Sequence, residues 1–243
     1  MLYKIPSDRL SIINHFGIKL DRVLIFVNRA SEIEALRELN FHHFEFSTRN
    51  LERGTVSHIF FFKNITLELI KIEDRELAAR SSLQSNIDII SRTQWQSNLA
   101  LPFGFVLHYV NRQSRSRKRC RYKQHIESSQ PSFKVNFSPK NLKKLQEPVC
   151  YIVPEPFITE NLLDNTSAIE QRILSNLSTM SELTNRQITL ERSISLTKTV
   201  SLISALNIVD IKRGNFPKLE LKFGSSNRSR SASLDSTPVI FYY

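Results

Sequence analysis

The sequence lacks most of the short motifs from which a function can be read directly. It contains no P-loop, dinucleotide-binding fingerprint, HExxH motif, nucleophile elbow or CxxC pair, so no motif assigns a reaction. Its two cysteines, Cys120 and Cys150, are too few for a disulfide framework, which favours a reducing compartment. No apolar run is long enough to cross a membrane, and residues 1–19 lack the apolar core of a signal peptide. We therefore expect a cytoplasmic protein.

Positive charge, in contrast, is abundant. The 243 residues carry a formal net charge of +11, and the densest part of it, residues 112–123, contains no acidic residue. Its cations are Arg112, Arg115, Arg117, Lys118, Arg119, Arg121 and Lys123. Because like charges repel and little of this run is apolar, it predicts an exposed loop. Such a loop is either simply solvated or binds nucleic acid or another polyanion; in the second case the contacts are Arg115, Arg117, Lys118, Arg119 and Arg121.

The clearest secondary-structure pattern lies in residues 20–74. Residues 20–27 predict a strand in which valine and isoleucine face one side and Arg22 the other. Ser31 is expected to open a helix, in a capping box with Glu34. Three strands should follow, at 41–47, 55–62 and 65–72.

Two further strands are predicted between residues 75 and 185. In the strand at 101–110, Gly104 indicates a close approach by another backbone or by a ligand. His108 in the same strand is either a hydrogen-bonded structural histidine or part of a binding site. The strand at 149–153 is short, and both strands are expected to extend a sheet. An amphipathic helix is predicted at 167–183.

Residues 186–243 show the same order of predicted elements as residues 20–74. A strand around Ile188 precedes a helix, and Leu206-Asn207-Ile208 repeats the helix exit at Leu39-Asn40-Phe41. Strands follow at 208–212, 218–223 and 238–243. The segment 225–236, which is rich in serine and arginine, predicts a flexible loop.

Four short segments of the first half resemble the vicinal-oxygen-chelate superfamily, and most closely its glyoxalase-like branch. They are Leu20-Asp21-Arg22-Val23, Leu39-Asn40-Phe41, Arg53-Gly54-Thr55 and Leu67-Glu68-Leu69-Ile70. The resemblance implies an α+β fold of paired βαβββ modules that form a curved, cup-shaped mixed sheet with helices on the outer face. The predicted division is an N-terminal arm (1–19), a first module (20–74), an inserted segment (75–185) and a second module (186–243).

Enzymes of this superfamily usually hold a divalent metal in the cup, with ligands from the first and fourth strands of each module. Here Glu68 matches one ligand, but Arg22 stands where a histidine is usual, and a guanidinium cannot bind a metal. In the second module Gln187 or Thr189 takes the first-strand position, and the last strand has no acid. We therefore expect no metal and no cofactor, and instead an ion pair between Arg22 and Glu68.

The resulting functional prediction is a glyoxalase-like protein that binds a small organic molecule in the cup. The candidate ligand-binding residues are Arg22, His58, Glu68 and His108. The resemblance leaves catalysis open; an enzyme of this kind would have a metal-independent, lyase-like or isomerase-like activity. The alternative is a basic module that binds nucleic acid or another polyanion through residues 112–123. The sequence is also compatible with a homodimer.

Overall fold

Two open mixed β-sheets form the fold in a computed structural model that describes residues 16–39, 41–111, 139–153, 179–224 and 230–243. The first sheet has the strand order β2-β3-β4-β1-β5-β6. Its strands are β1 (Phe16–Val27), β2 (Phe44–Asn50), β3 (Thr55–Phe61), β4 (Thr66–Ile72), β5 (Phe103–Asn111) and β6 (Val149–Ile152). The second sheet has the order β10-β11-β9-β7-β8. Its strands are β7 (Leu183–Glu191), β8 (Asp210–Gly214), β9 (Lys218–Phe223), β10 (Ser231–Ser233) and β11 (Val239–Tyr242).

The described helices are short and few. They are α1 (Ala30–Glu38), α2 (Arg75–Ser85), α3 (Ile89–Thr93), α4 (Trp95–Asn98), α5 (Pro139–Lys143) and α6 (Lys198–Ala205). Within the described ranges, no helix has both the length and the apolar character needed to span a membrane. The predicted α+β class, with curved open sheets, is confirmed.

A single large apolar cluster connects the two sheets. Ile33 and Leu36 of α1, and Val200 and Ile203 of α6, pack into it. The first sheet adds residues of β1, β4 and β5, and the second adds residues of β7, β9 and β11. Since both sheets and both helices share this cluster, the two halves of the chain have one core, which their apolar burial stabilises.

The strand β1 contains a β-bulge that the sequence analysis did not predict. Its pairing with β5 shifts register between Leu20 and Arg22, so Asp21 is the extra residue. Leu20 packs against the shared core before the bulge and Val23 lies in it afterwards. The bulge therefore lets apolar residues of opposite parity point to the same side of one strand.

The helix α1 begins earlier than predicted. It starts at Ala30, and the carboxylate at its third position is Glu32, which is fully buried. Glu32 accepts hydrogen bonds from the backbone N–H groups of Asn28 and Arg29 and from the hydroxyl of Thr237. The predicted capping box of Ser31 with Glu34 is therefore wrong. The helix begins one residue before Ser31, so Glu32 and not Glu34 lies at its third position.

The inserted strands extend the first sheet as predicted, with β5 beside β1 and β6 beside β5. At Gly104 the close approach is to another backbone: a Cβ there would overlap the side chain and the carbonyl oxygen of Val149. The basic run 112–123 and most of the predicted helix 167–183 lie outside the described residues, and Leu183 itself begins β7.

The second half follows the predicted order of elements with one added strand, but its strands pair differently. In the first half β1 lies beside β4 and is parallel to it. In the second half β7 lies between β8 and β9, parallel to the former and antiparallel to the latter. The added strand is β10, so the prediction of a flexible loop throughout 225–236 is wrong for Ser231–Ser233, which pair with β11. The helix exit at Asn207 has φ +54°, in the left-handed region.

Candidate ligand-binding site

Three of the four predicted site residues lie on the same face of the first sheet. Strand alternation places Arg22 on the face of β1 that also carries Leu24 and Phe26, opposite the shared core. Glu68 of β4 has the parity of Ile70, and His108 of β5 has the parity of Val106, and both of these apolar residues pack on that face. Because β4, β1 and β5 are neighbours, the three polar side chains converge.

The converging side chains form a hydrogen-bonded network around Arg22. Arg22 Nη1 donates to Glu68 Oε2 at 3.2 Å, which confirms the predicted ion pair. Arg22 Nε donates to Asp21 Oδ2 at 2.8 Å, a contact that the bulge makes available. Ser57 of β3 donates its hydroxyl to Glu68 Oε1 at 2.7 Å, so both carboxylate oxygens of Glu68 are held.

Burial and charge together fix the ionisation of this network. Burial alone lowers the pKa of Arg22, but attraction by Glu68 and Asp21 outweighs it and raises that pKa above its ordinary value. Arg22 therefore stays protonated. Burial, with the negative charge of Glu68, raises the pKa of Tyr151 on β6 to about 12, so its hydroxyl is a neutral donor and acceptor. We call Asp21, Arg22, Ser57, Glu68, His108 and Tyr151 the Arg22 cluster.

His108 is the least satisfied member of the Arg22 cluster. The residue is only 6% exposed, and its Nδ1 has no hydrogen-bond partner in the described part of the chain. The nearest acidic oxygen is Asp21 Oδ1, at 3.8 Å, beyond hydrogen-bond distance. The interpretation of His108 as a hydrogen-bonded structural histidine is therefore not supported through Nδ1. A buried polar atom of this kind is costly unless something pairs with it.

The structure separates His58 from the other predicted site residues. On β3, His58 is paired with Leu69, which belongs to the shared core, whereas the preceding Ser57 faces Glu68. His58 Nδ1 lies 3.3 Å from Arg37 Nη2 and 3.6 Å from Glu45 Oε1, on the α1 side of the sheet. Its predicted place in the same pocket as Arg22 is wrong, since neighbouring strand residues point to opposite faces.

The Arg22 cluster borders an apolar patch on the same face. Leu24 and Phe26 of β1 pack there with Val106 and with Ile89 of α3. Helix α3 covers this end of the face, while Arg22 and Glu68 keep 17% and 15% of their side-chain surface exposed. The face therefore combines an apolar floor with a partly accessible group of polar side chains, as small-molecule sites commonly do.

Three members of the cluster were missed from the sequence: Asp21, Ser57 and Tyr151. The signal for Asp21 was present, because the apolar residues change parity between Leu20 and Val23, which indicates a bulge. Ser57 has the same parity as Ile59 but no distinguishing pattern of its own. Tyr151 could be placed only by knowing that β6 lies beside β5.

The donor set does not fit the metal that the superfamily resemblance implies. The carboxylate of Glu68 is held by Arg22 and Ser57, and the guanidinium beside it carries positive charge. Among the residues that the structure describes, no group of three or more histidine, cysteine, aspartate or glutamate side chains is arranged to hold a metal ion.

Comparisons with known proteins support the fold but give no function. No protein-family model matches the chain, and no curated protein matches it. Among solved structures, it is similar to the crystal structure of a hypothetical protein from Staphylococcus aureus, with 10% sequence identity and a TM-score of 0.50. That similarity covers 92% of this chain and 98% of the other. At this identity it shows a shared fold alone.

Proposed function

We propose that the chain binds a small polar organic molecule at the Arg22 cluster, as the resemblance to glyoxalase-like proteins implies. The observation that carries the proposal is the convergence of buried ionisable groups beside His108 Nδ1, which no described residue satisfies. A purely structural ion pair does not need a buried polar atom without a hydrogen-bond partner. Binding sites often contain such atoms, and the ligand supplies the missing partner. The cytoplasmic location and the homodimer stay predictions from the sequence.

The charges of the cluster indicate which ligand groups it accepts. The carboxylates of Asp21 and Glu68 flank the guanidinium of Arg22 in the cluster. Arg22 is already engaged by both carboxylates, so it is a poor site for an anionic ligand. A hydroxyl or amino group of a ligand can pair with His108 Nδ1, a buried polar atom with no partner among the described residues.

The same arrangement supplies groups for metal-independent acid–base chemistry. His108 can take a proton at Nδ1 from a bound hydroxyl, with Asp21 close enough to stabilise the imidazolium that forms. The phenol of Tyr151 is neutral and can donate a hydrogen bond to an oxygen that gains charge. These roles belong to the proposed site and name no particular substrate.

A thermal-shift screen of small alcohols, hydroxy acids and amines tests the proposal. A ligand present at 100 times its Kd stabilises the native state by about 2.7 kcal/mol, a shift of several degrees in Tm. We expect at least one compound to raise the Tm of the wild-type chain and of His42→Phe. The same compound should not raise the Tm of His108→Phe. His42 is an exposed histidine outside the cluster, so it is a matched control.

Two results would overturn the proposal. One is the absence of binding by every compound class. The other is binding that is unchanged in both His108→Phe and Glu68→Gln, because such binding would be located elsewhere. Each variant is first compared with the wild type by circular dichroism, so that loss of folding is not mistaken for loss of a ligand.

The second candidate function is polyanion binding by residues 112–123, which is favoured by the net charge of +11 and by the concentration of cations there. Five arginine and lysine contacts to duplex DNA would give a log affinity that falls with log salt at a slope of about −4.5. We expect replacement of Arg115, Arg117, Lys118, Arg119 and Arg121 by glutamine to remove that slope. A ligand at the Arg22 cluster should respond only weakly to salt, which separates the two functions.

A further inference from the structure

The outward face of the second sheet holds a polar groove that the predicted function does not use. Its cavity volume is about 260 Å³, and it is lined by Asn185, Gln187, Glu220, Lys222 and Tyr242. The opposite face of the same strands is apolar and belongs to the shared core. All five lining residues carry polar side chains, so this groove is chemically unlike the apolar end of the face on the first sheet.

Strand register explains how the groove is built. Asn185 of β7, Lys222 of β9 and Tyr242 of β11 lie directly across from one another in one row. Gln187 and Glu220 form the next row, two residues along the strands. Neighbouring strands are about 4.8 Å apart, and same-face residues are about 7 Å apart along a strand. The five side chains therefore cover an area comparable with a single small ring-shaped molecule.

Glu220 is held in a fixed position at the centre of the groove. Gln187 Nε2 donates to Glu220 Oε2 at 2.8 Å, and the Tyr242 hydroxyl donates to Glu220 Oε1 at 2.9 Å. Lys218 Nζ lies 3.1 Å from Oε1 as well. Burial alone raises the pKa of Glu220, but the hydrogen bonds from Tyr242 and Lys218 outweigh it and lower that pKa, so the carboxylate is ionised. A carboxylate fixed in this way is preorganised for a ligand.

Two groove side chains remain available for binding. Within the part of the chain that the structure describes, neither the ammonium of Lys222 nor the amide of Asn185 has a side-chain partner. Lys218 forms an ion pair with Glu220, so that carboxylate does not need Lys222 as its partner. The groove thus offers fixed acceptors and donors on one side, and an ammonium beside an amide on the other.

We infer that this groove binds a small polyhydroxylated anion, such as a sugar acid or a sugar phosphate. A hydroxyl both donates and accepts, so adjacent hydroxyls match the alternating oxygens and N–H groups of Glu220, Gln187 and Asn185. The ring of Tyr242 supplies apolar contact for the carbon skeleton. Lys222 pairs with the carboxylate or phosphate, which makes the anion preferred over the neutral sugar.

Calorimetric titration of the full chain with glucuronate, glucose 6-phosphate and glucose tests this inference. We expect glucuronate or glucose 6-phosphate to bind at least tenfold more tightly than glucose, and the comparison of the two distinguishes a carboxylate from a phosphate source. Lys222→Gln should reduce the affinity of the anion about tenfold and abolish its advantage over glucose. The control Lys212→Gln removes the same charge from β8, outside the groove, and should leave the affinity unchanged.

A second measurement does not depend on any variant. Titration of isotope-labelled wild-type chain should shift the amide resonances of β9 and β11, and leave those of β1 and β4 in place. The inference is overturned if none of the three compounds binds, if glucose binds as tightly as the anions, or if the shifted resonances belong to the first sheet. None of these outcomes depends on a ligand at the Arg22 cluster, so the two sites are tested separately.

Discussion

Replacing Arg22 by leucine should destabilise the protein strongly, because it leaves two carboxylates without their cation. The side chains of Asp21 and Glu68 are only 2% and 15% exposed, and both are bonded to Arg22. Removing one partner of a buried ion pair typically costs about 3–5 kcal/mol. The hydrogen bond from Ser57 and the partial exposure of Glu68 remain, so we expect about 3 kcal/mol at pH 7. Urea denaturation measures this free energy of unfolding directly.

The pH dependence of that loss identifies its cause. Without Arg22, the charges of Asp21 and Glu68 are buried without the cation that faces them, and acid removes this cost by neutralising the carboxylates. The cost of Arg22→Leu should therefore be greatest above pH 6 and shrink as the pH falls towards 4. Arg22→Lys keeps the charge and should cost less.

A double variant decides whether the pair is coupled. In the Arg22→Leu variant, Glu68 should be destabilising because its cation is missing. The double variant Arg22→Leu/Glu68→Leu should then cost at least about 1 kcal/mol less than the sum of the two single changes. Additivity within about 0.5 kcal/mol, or a cost of Arg22→Leu below about 1 kcal/mol, would refute the argument that the Arg22 cluster is an electrostatic unit.

Two further changes test other parts of the fold. Gly104→Ala should lower the free energy of unfolding by about 3 kcal/mol in the same denaturation assay, because the new methyl group overlaps the backbone of Val149. A cost under about 1 kcal/mol would contradict the close pairing of β5 and β6. Burial and the nearby Arg37 lower the pKa of His58 below its ordinary value. In the native state His58 therefore binds its proton only at a lower pH than in the unfolded chain. Stability should fall as the pH drops below about 6.5. His58→Gln should flatten this part of the stability curve, whereas the exposed control His42→Gln should not, and an unchanged curve in His58→Gln would refute the assignment.

The first half of the fold could be predicted because its signals are local. Alternating apolar residues in β1 placed Arg22 on one face, and the resemblance supplied β4 as the neighbouring strand, which together predicted the pair with Glu68. The predicted face of His58 was wrong and that of Arg22 was right for the same physical reason. A one-residue difference in parity reverses the face, and β3 has mixed polar and apolar residues on both sides, so its pattern did not choose one.

The second half could not be predicted in the same way, since the choice of strand neighbours depends on contacts between distant residues. Most of the residues predicted as strands do form strands, although β8 begins at Asp210 and not at residue 208. Neither segment alone indicates that β7 pairs with β9 and not with β11. A local signal was nevertheless overlooked. Leu219-Glu220-Leu221 repeats Leu67-Glu68-Leu69, residue for residue.

This short repeat corresponds to a shared arrangement in three dimensions. Glu68 and Glu220 each lie on a strand with one parallel and one antiparallel neighbour. In both cases donors from the two neighbouring strands hold the two carboxylate oxygens: Arg22 and Ser57 in the first sheet, Gln187 and Tyr242 in the second. The flanking leucines lie in the shared core. Because the arrangement needs only the middle strand and its two neighbours, it is present in both halves even though the remaining strands pair differently.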